Sequence, residues 1–201
     1  MLFVVGLGNP GGQYERTRHN VGFDVIAELA DRHRFPVSKS FKNAQVSKGR
    51  IAGEDVLLVQ PMTYMNLSGD AVGPIVRYYR GDCSDVVVVH DELDFEPGVV
   101  RIKKGGGHGG HNGLKSIAGH LGKEFTRIRL GVGKPPRGDG AGHVLGRFSA
   151  DDRLAVDESI SDACTAVELL IRDGVAKAMG KFNQKEKKQS LAKEENSRDL
   201  N

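Results

Sequence analysis

Three apolar runs of this sequence each end in a cluster of polar side chains. LFVV (2–5) runs into Gly6, Leu7, Gly8 and Asn9. VLLV (56–59) runs into a segment carrying Tyr64, Met65 and Asn66. VVVV (86–89) runs into His90, Asp91, Glu92, Leu93 and Asp94. In open α/β sheets the ligand crevice lies at the carboxyl ends of the strands, so if the three runs are parallel neighbours, Asn9, Asn66 and Asp91 converge on one crevice. A lone asparagine is more often a turn residue or a helix cap; the convergence carries the inference. Histidine is the natural base at neutral pH. Of the seven histidines, His19 follows the first strand end on the same rim as Asn9. Asp91, leaving a buried strand beside that rim, is suited to orient an imidazole and stabilise its cation. Asparagines bind carbonyls without the cost of burying charge. A further cluster, GGGHGGHNG (105–113), leaves few side chains in the way. It can bring Asn112 and backbone N–H groups close to a substrate.

GLGNPG (6–11) is also a literal G-x-G-x-x-G, the dinucleotide-binding spacing. Such a site opens a helix at the third glycine and needs an acidic residue at the end of a second strand about 20 residues on. Here residues 12–20 are polar without an apolar helical face, Pro10 removes an N–H from the turn, and the later region is itself helical in pattern. The glycines are therefore expected to let the chain turn sharply off the first strand.

The elements that must position these groups follow from periodicity. Val21, Val25, Ile26, Leu29 and Ala30 share a helical face over 21–34. Residues 44–48 and 56–59 are strands joined near Gly53. Ser68 is expected to cap a helix over 69–80 that Pro74 should kink. Residues 99–103 and 126–132 read as half-buried strands, and 112–121 as a helix. Ser149 and Asp152 form a capping pattern opening a long helix on which Leu154, Ile160, Ala163, Val167, Leu170 and Ile171 share a face. The interleaving gives one α/β domain over residues 1–183. The polar residues 184–201 read as a solvated, disordered tail. Two distant cysteines exclude a disulfide framework and fit a reducing cytoplasm, and no run is long enough to span a membrane. A net charge of +3 is compatible with a polyanion partner.

GLGNPG, Tyr14, TRHNVG (17–22), PMTYMNLSG (61–69), HDELD (90–94) and GGGHGGHNGLKS (105–116) occur in that order over nearly all of residues 2–182. Together they resemble bacterial-type peptidyl-tRNA hydrolase. The resemblance implies a monomeric, cytoplasmic α/β globule with a mixed, mostly parallel sheet flanked by helices. It implies hydrolysis of the ester joining a peptide to the terminal ribose of tRNA, with no cofactor and no metal. It assigns His19 as the base that activates water and Asp91 as its support. It assigns Asn66, His111 and Asn112 to the substrate, and Asn9 to telling a blocked amino acid from a free α-amine. Tyr14, Tyr64 and Met65 would line the crevice. Lys103 and Arg129 would clamp the tRNA 5′-phosphate, next to its acceptor stem and 3′ end.

The two half-buried strands add an RNA argument of their own. Arg101 and Lys103 alternate with apolar residues, as do Arg127 and Arg129; each strand thus puts two cations on one face. Paired with those faces matched, four cations meet and repel, which a phosphate partner would offset. The Gly/Pro-rich stretch 133–146, with Lys134, Arg137 and the nearby Arg147, reads as a mobile lid. Two rival readings stand. One is a metallohydrolase using His90, Asp91, His108 and His111, residue types that suit zinc. The other is a non-catalytic RNA-binding module on the same fold.

Overall fold

The computed structural model describes residues 1–135, 138 and 140–184. Arg137 and the tail residues Lys185, Lys187 and Lys188 lie outside the described residues. The chain runs β1 (Leu2–Gly6), α1 (Val21–Arg32), β2 (Lys39–Phe41), β3 (Ala44–Ile51), β4 (Glu54–Pro61) and α2 (Ser68–Tyr78). It continues through β5 (Val86–Glu92), β6 (Val100–Lys104), α3 (Asn112–Leu121), β7 (Thr126–Gly131), α4 (Gly140–Leu145), α5 (Ala150–Asp173) and α6 (Val175–Phe182).

The strands form one mixed sheet in the order β2-β3-β4-β1-β5-β7-β6. β4, β1, β5 and β7 are parallel in its middle, and β2, β3 and β6 join antiparallel at the edges. Val4 stands opposite both Leu58 and Val87, so the three apolar runs lie side by side, point the same way and end together. Alternation along the strands divides the core. Val4, Leu58, Val87 and Val89 pack with α1, α5 and α6. Phe3, Val5, Leu57, Val59, Val86 and Val88 pack with α2 and α3 on the other face. A sheet buried on both faces needs continuous β-branched runs, which VVVV supplies. Each such side chain contributes about 1.5–3 kcal/mol on burial.

Some elements differ from expectation. Ser68 opens α2 without capping it: a 3-10 turn (Met65–Leu67) runs straight into the helix, and the Ser68 hydroxyl donates to the Met65 carbonyl at 2.8 Å. The helix continues through Pro74 to Tyr78. Ser149 does cap α5, accepting from the Asp152 N–H at 3.1 Å. Leu154, however, is 69% exposed, because it sits two residues, about 200° of helix rotation, from Val156 on the buried face. α4 and α6 were not foreseen. α4 lies within a glycine-rich stretch, and α6 follows a break at Gly174 whose φ of +87° ends α5. The strands read as half-buried are more buried than that, with Arg101 and Arg127 among the interior residues.

Candidate active site

The aligned strand ends open into a crevice of about 1000 Å³. Asn9, Tyr14, His19, Tyr64, Met65, Asn66, Asp91, His111 and Asn112 all line it. The sequence placed these residues at strand ends and loop exits, and the parallel middle of the sheet brings them together. Lys103 and Arg129 do not line it; they stand on the neighbouring β6–β7 face.

Gly6 and Gly8 serve the first loop by close approach, and Gly11, at φ +110°, by a backbone conformation that favours glycine. Gly6 and Gly22 meet where α1 abuts the ends of β1 and β5. A Cβ at Gly22 would lie 2.4 Å from the Leu7 nitrogen and 2.6 Å from the Val89 oxygen. That contact fixes the start of α1, and the two residues before it are His19 and Asn20. Asn20 is buried and clamps the loop. Its Oδ1 accepts from the Asn9 N–H, and its Nδ2 donates to the Asn9 carbonyl, both at 2.9 Å. Asn9 Oδ1 in turn accepts from the Met65 N–H at 2.8 Å, joining the first and second strand ends. Sequence reading missed Asn20; its place in TRHNVG beside His19 was the available signal.

His19 Nδ1 lies 2.8 Å from Asp91 Oδ1, and His111 Nε2 lies 3.0 Å from the same oxygen. Both nitrogens must donate, since an ionised carboxylate only accepts. Burial works against the charge on Asp91. Attraction to His111 and His19, with a hydrogen bond from each, outweighs it and holds the carboxyl well below its usual range. With Nδ1 occupied, the lone pair of His19 is on Nε2, the arrangement of a general base oriented by a carboxylate. His111 is also the N-cap of α3: its Nδ1 accepts from the N–H groups of Gly113 at 3.2 Å and Leu114 at 3.4 Å. Both ring nitrogens are thus engaged within the chain, so His111 offers the crevice its ring rather than a free polar atom. His90 stacks edge-on against His111 with ring centres 4.9 Å apart and donates Nδ1–H to the Asp91 carbonyl at 2.7 Å. Burial, then His111, push it down to about 3, so it is neutral.

Among the described residues, His19, Asp91 and His111 form one group whose ligating atoms lie within 4.8 Å of one another, near enough to share a cation. The tautomers work against it. The single proton of His111 must sit on Nε2, where a metal would bind, for as long as Nδ1 caps α3. Among the described residues neither His90 nor His108 joins that group; His108 is exposed, and its Nδ1 accepts from the Gly110 N–H.

Beyond this group the crevice has a second wall, part of which comes from the stretch 133–146 that the sequence offered as a lid. Leu93, Val144 and Leu145 line it, and Lys134 Nζ bridges to Asp94 Oδ1 at 2.7 Å on its rim. α4 is tied to the His19 segment. Arg18 N donates to the Gly146 carbonyl at 3.0 Å, its guanidinium donates to the Arg147 carbonyl at 2.8 Å, and it stacks on Phe148.

The four cations of β6 and β7 do share a face, with Arg101 opposite Arg129 and Lys103 opposite Arg127. Their repulsion is offset largely inside the chain. Arg101 donates to the Phe182 carbonyl at 3.1 Å. Arg127 donates to the Gly106 and Gly107 carbonyls, holding the glycine loop, and stacks on Phe125. Arg129 bonds Glu92 Oε2 through Nε at 3.0 Å and Nη2 at 2.8 Å, over the Phe95 ring. Lys103 is exposed beside the glycine loop.

The Peptidyl-tRNA hydrolase family model matches residues 3–190. A peptidyl-tRNA hydrolase of Agathobacter rectalis is 47% identical over 186 residues, covering 91% of this chain and 100% of the relative. One from Acinetobacter baumannii is 44% identical over 182 residues, covering 90% and 94%. A crystal structure of peptidyl-tRNA hydrolase from Acinetobacter baumannii superposes with a TM-score of 0.87 at 42% identity, covering 92% of this chain and 95% of that one.

Proposed function

The chain belongs to the peptidyl-tRNA hydrolase family and hydrolyses the ester bond of peptidyl-tRNA; from the geometry of its crevice we propose that His19 is the general base. The observation that carries this is the 2.8 Å bond from His19 Nδ1 to the buried Asp91, which leaves Nε2 as the basic atom in a crevice lined by asparagine amides. Nε2 takes a proton from water as the water attacks the ester carbonyl. Asp91 stabilises the imidazolium that forms. The imidazolium then protonates the departing ribose oxygen, freeing the tRNA.

Asn66 stands in the turn before α2 and Asn112 is the first residue of α3, both exposed to the crevice. Their amides and the adjoining helix N-termini suit a developing oxyanion. Asn9, held at both its backbone and its Oδ1, reads the blocked end of the substrate. Tyr14, Tyr64 and Met65 form the wall along the peptide and the tRNA 3′ end. Lys103 and Arg129 meet the tRNA 5′-phosphate, and Arg129 has to share itself between that phosphate and Glu92. No helix among the described residues is long and apolar enough to cross a membrane. The enzyme acts as a monomer in the cytoplasm, residues 1–183 forming its catalytic domain.

The test is release of an N-blocked amino acid from tRNA. His19→Ala is expected to lower kcat by at least about 100-fold while tRNA binding, measured by filter retention, persists. Near-normal turnover by that variant would remove His19 as the base. Loss of binding together with turnover would make His19 a substrate contact rather than the base.

A further inference from the structure

We propose that His111 is a positioning residue of the reaction, acting through Asp91: by sharing Oδ1 it limits how strongly the carboxylate holds the His19 imidazolium. The inference rests on the reading of His19 as base. Oδ1 accepts from His19 at 2.8 Å and from His111 at 3.0 Å, and one oxygen with two donors divides its charge between them. Neither donor is redundant. A carboxylate bonded to His19 alone would favour the protonated imidazole, which has no lone pair for water.

The second donor cannot turn away. N-caps are normally side-chain oxygens; here the cap of α3 is an imidazole nitrogen. Because Nδ1 accepts from Gly113 and Leu114, the only ring proton is on Nε2, aimed at Asp91. The ring is also wedged. His19 lies 5.0 Å and His90 4.9 Å from it, centre to centre, and a Cβ at Gly113 would come within 3.2 Å of its Cε1. An N–H at Nδ1 would face the two N–H groups of the helix end, so the cap fixes the tautomer. The titratable and charged groups around this set are Asp91 and His90 from β5, Arg18 beside His19, and Tyr14, Tyr64, Glu92, Asp94, His108 and Lys134 on the crevice wall. Of these, Asp91 alone bonds both rings.

The experiment is the pH dependence of kcat/KM for N-blocked aminoacyl-tRNA with His111→Asn. Asparagine is a strong N-cap, and its amide is too short to reach Asp91. Removal of the competing donor is expected to move the acid limb to higher pH by about half a unit or more. Asp91→Asn is expected to move it the opposite way. His111→Ser, also a good cap without a donor, gives the same reading if His111→Asn fails to fold. An acid limb that stays in place or moves down in a folded His111 variant overturns the proposal, whatever happens to kcat. Retention of turnover by His19→Ala would instead overturn the underlying reading.

Discussion

His90 is buried on β5 against His111, with Nδ1 bonded and Nε2 lacking a hydrogen-bond partner among the described residues. Such a group makes folding sensitive to acid. Its pKa falls from about 6.5 in the unfolded chain to about 3 in the folded protein. Between these values the unfolded chain binds a proton that the native state refuses, so stability falls as pH drops through that window. His90→Gln removes the titration. The unfolding free energy of the wild type, measured by urea titration, is therefore expected to fall faster below pH 6.5, by up to about 1.4 kcal/mol per pH unit relative to the variant. Parallel curves for the two proteins would show that His90 does not control acid stability. His111 shows what a motif leaves open: it lines the crevice as expected, with hydrogen bonds that its sequence neighbours do not reveal. Both its nitrogens are used by Asp91 and by the end of α3.

The elements of the site are held by contacts that allow no side chain. At Gly22 the neighbours are backbone atoms of Leu7 and Val89, at 2.4–2.6 Å from an added Cβ, and backbone gives way less easily than the end of a side chain. Gly22→Ala is expected to destabilise the fold by about 3 kcal/mol and to lower kcat as well, since α1 sets the position of His19. Equilibrium unfolding and turnover of the variant check this; a stable, fully active Gly22→Ala protein would dissociate the helix contact from the site. Gly113 plays the corresponding part at α3, where a Cβ would meet Met65 Sδ at 2.6 Å and Leu7 Cδ1 at 2.8 Å. The two helices that present His19 and Asn112 are thus both seated by glycine against the first strand's exit. α3 was legible to the residue, and the apolar strands nearly so, because their patterns are strong and local. α4 and the break before α6 were not, since short helices in glycine-rich or amphipathic stretches depend on what they pack against.

Across the whole molecule, charge is distributed so that few of the strand cations remain available. Arg129 is already paired with Glu92, whereas Lys103 is exposed. Lys103→Ala is expected to reduce the slope of log(kcat/KM) against log salt by about 0.9, one phosphate contact. Arg129→Gln should change it less, because Arg129 is already paired with Glu92 and neutralises only part of a phosphate charge. Kinetics on 5′-phosphorylated tRNA substrates over a range of salt concentrations test this; equal slopes for wild type and Lys103→Ala would leave Lys103 merely solvated.

By itself the sequence determined the class of sheet, the three strand ends and the residue types at each. Apolar runs and glycine or asparagine exits are local signals, and a base, a carboxylate and neutral amides are recognisable wherever they stand. Only the tertiary structure decided that β4, β1 and β5 are parallel neighbours, so that Asn66, Asn9 and Asp91 share a crevice. It also decided that the strand cations are mostly spent on carbonyls and a glutamate, and that a helix-capping histidine and His19 share one oxygen of the buried Asp91. Those outcomes depend on which distant segments meet, and the hydrogen-bonding capacity of a buried group is allotted only when they do.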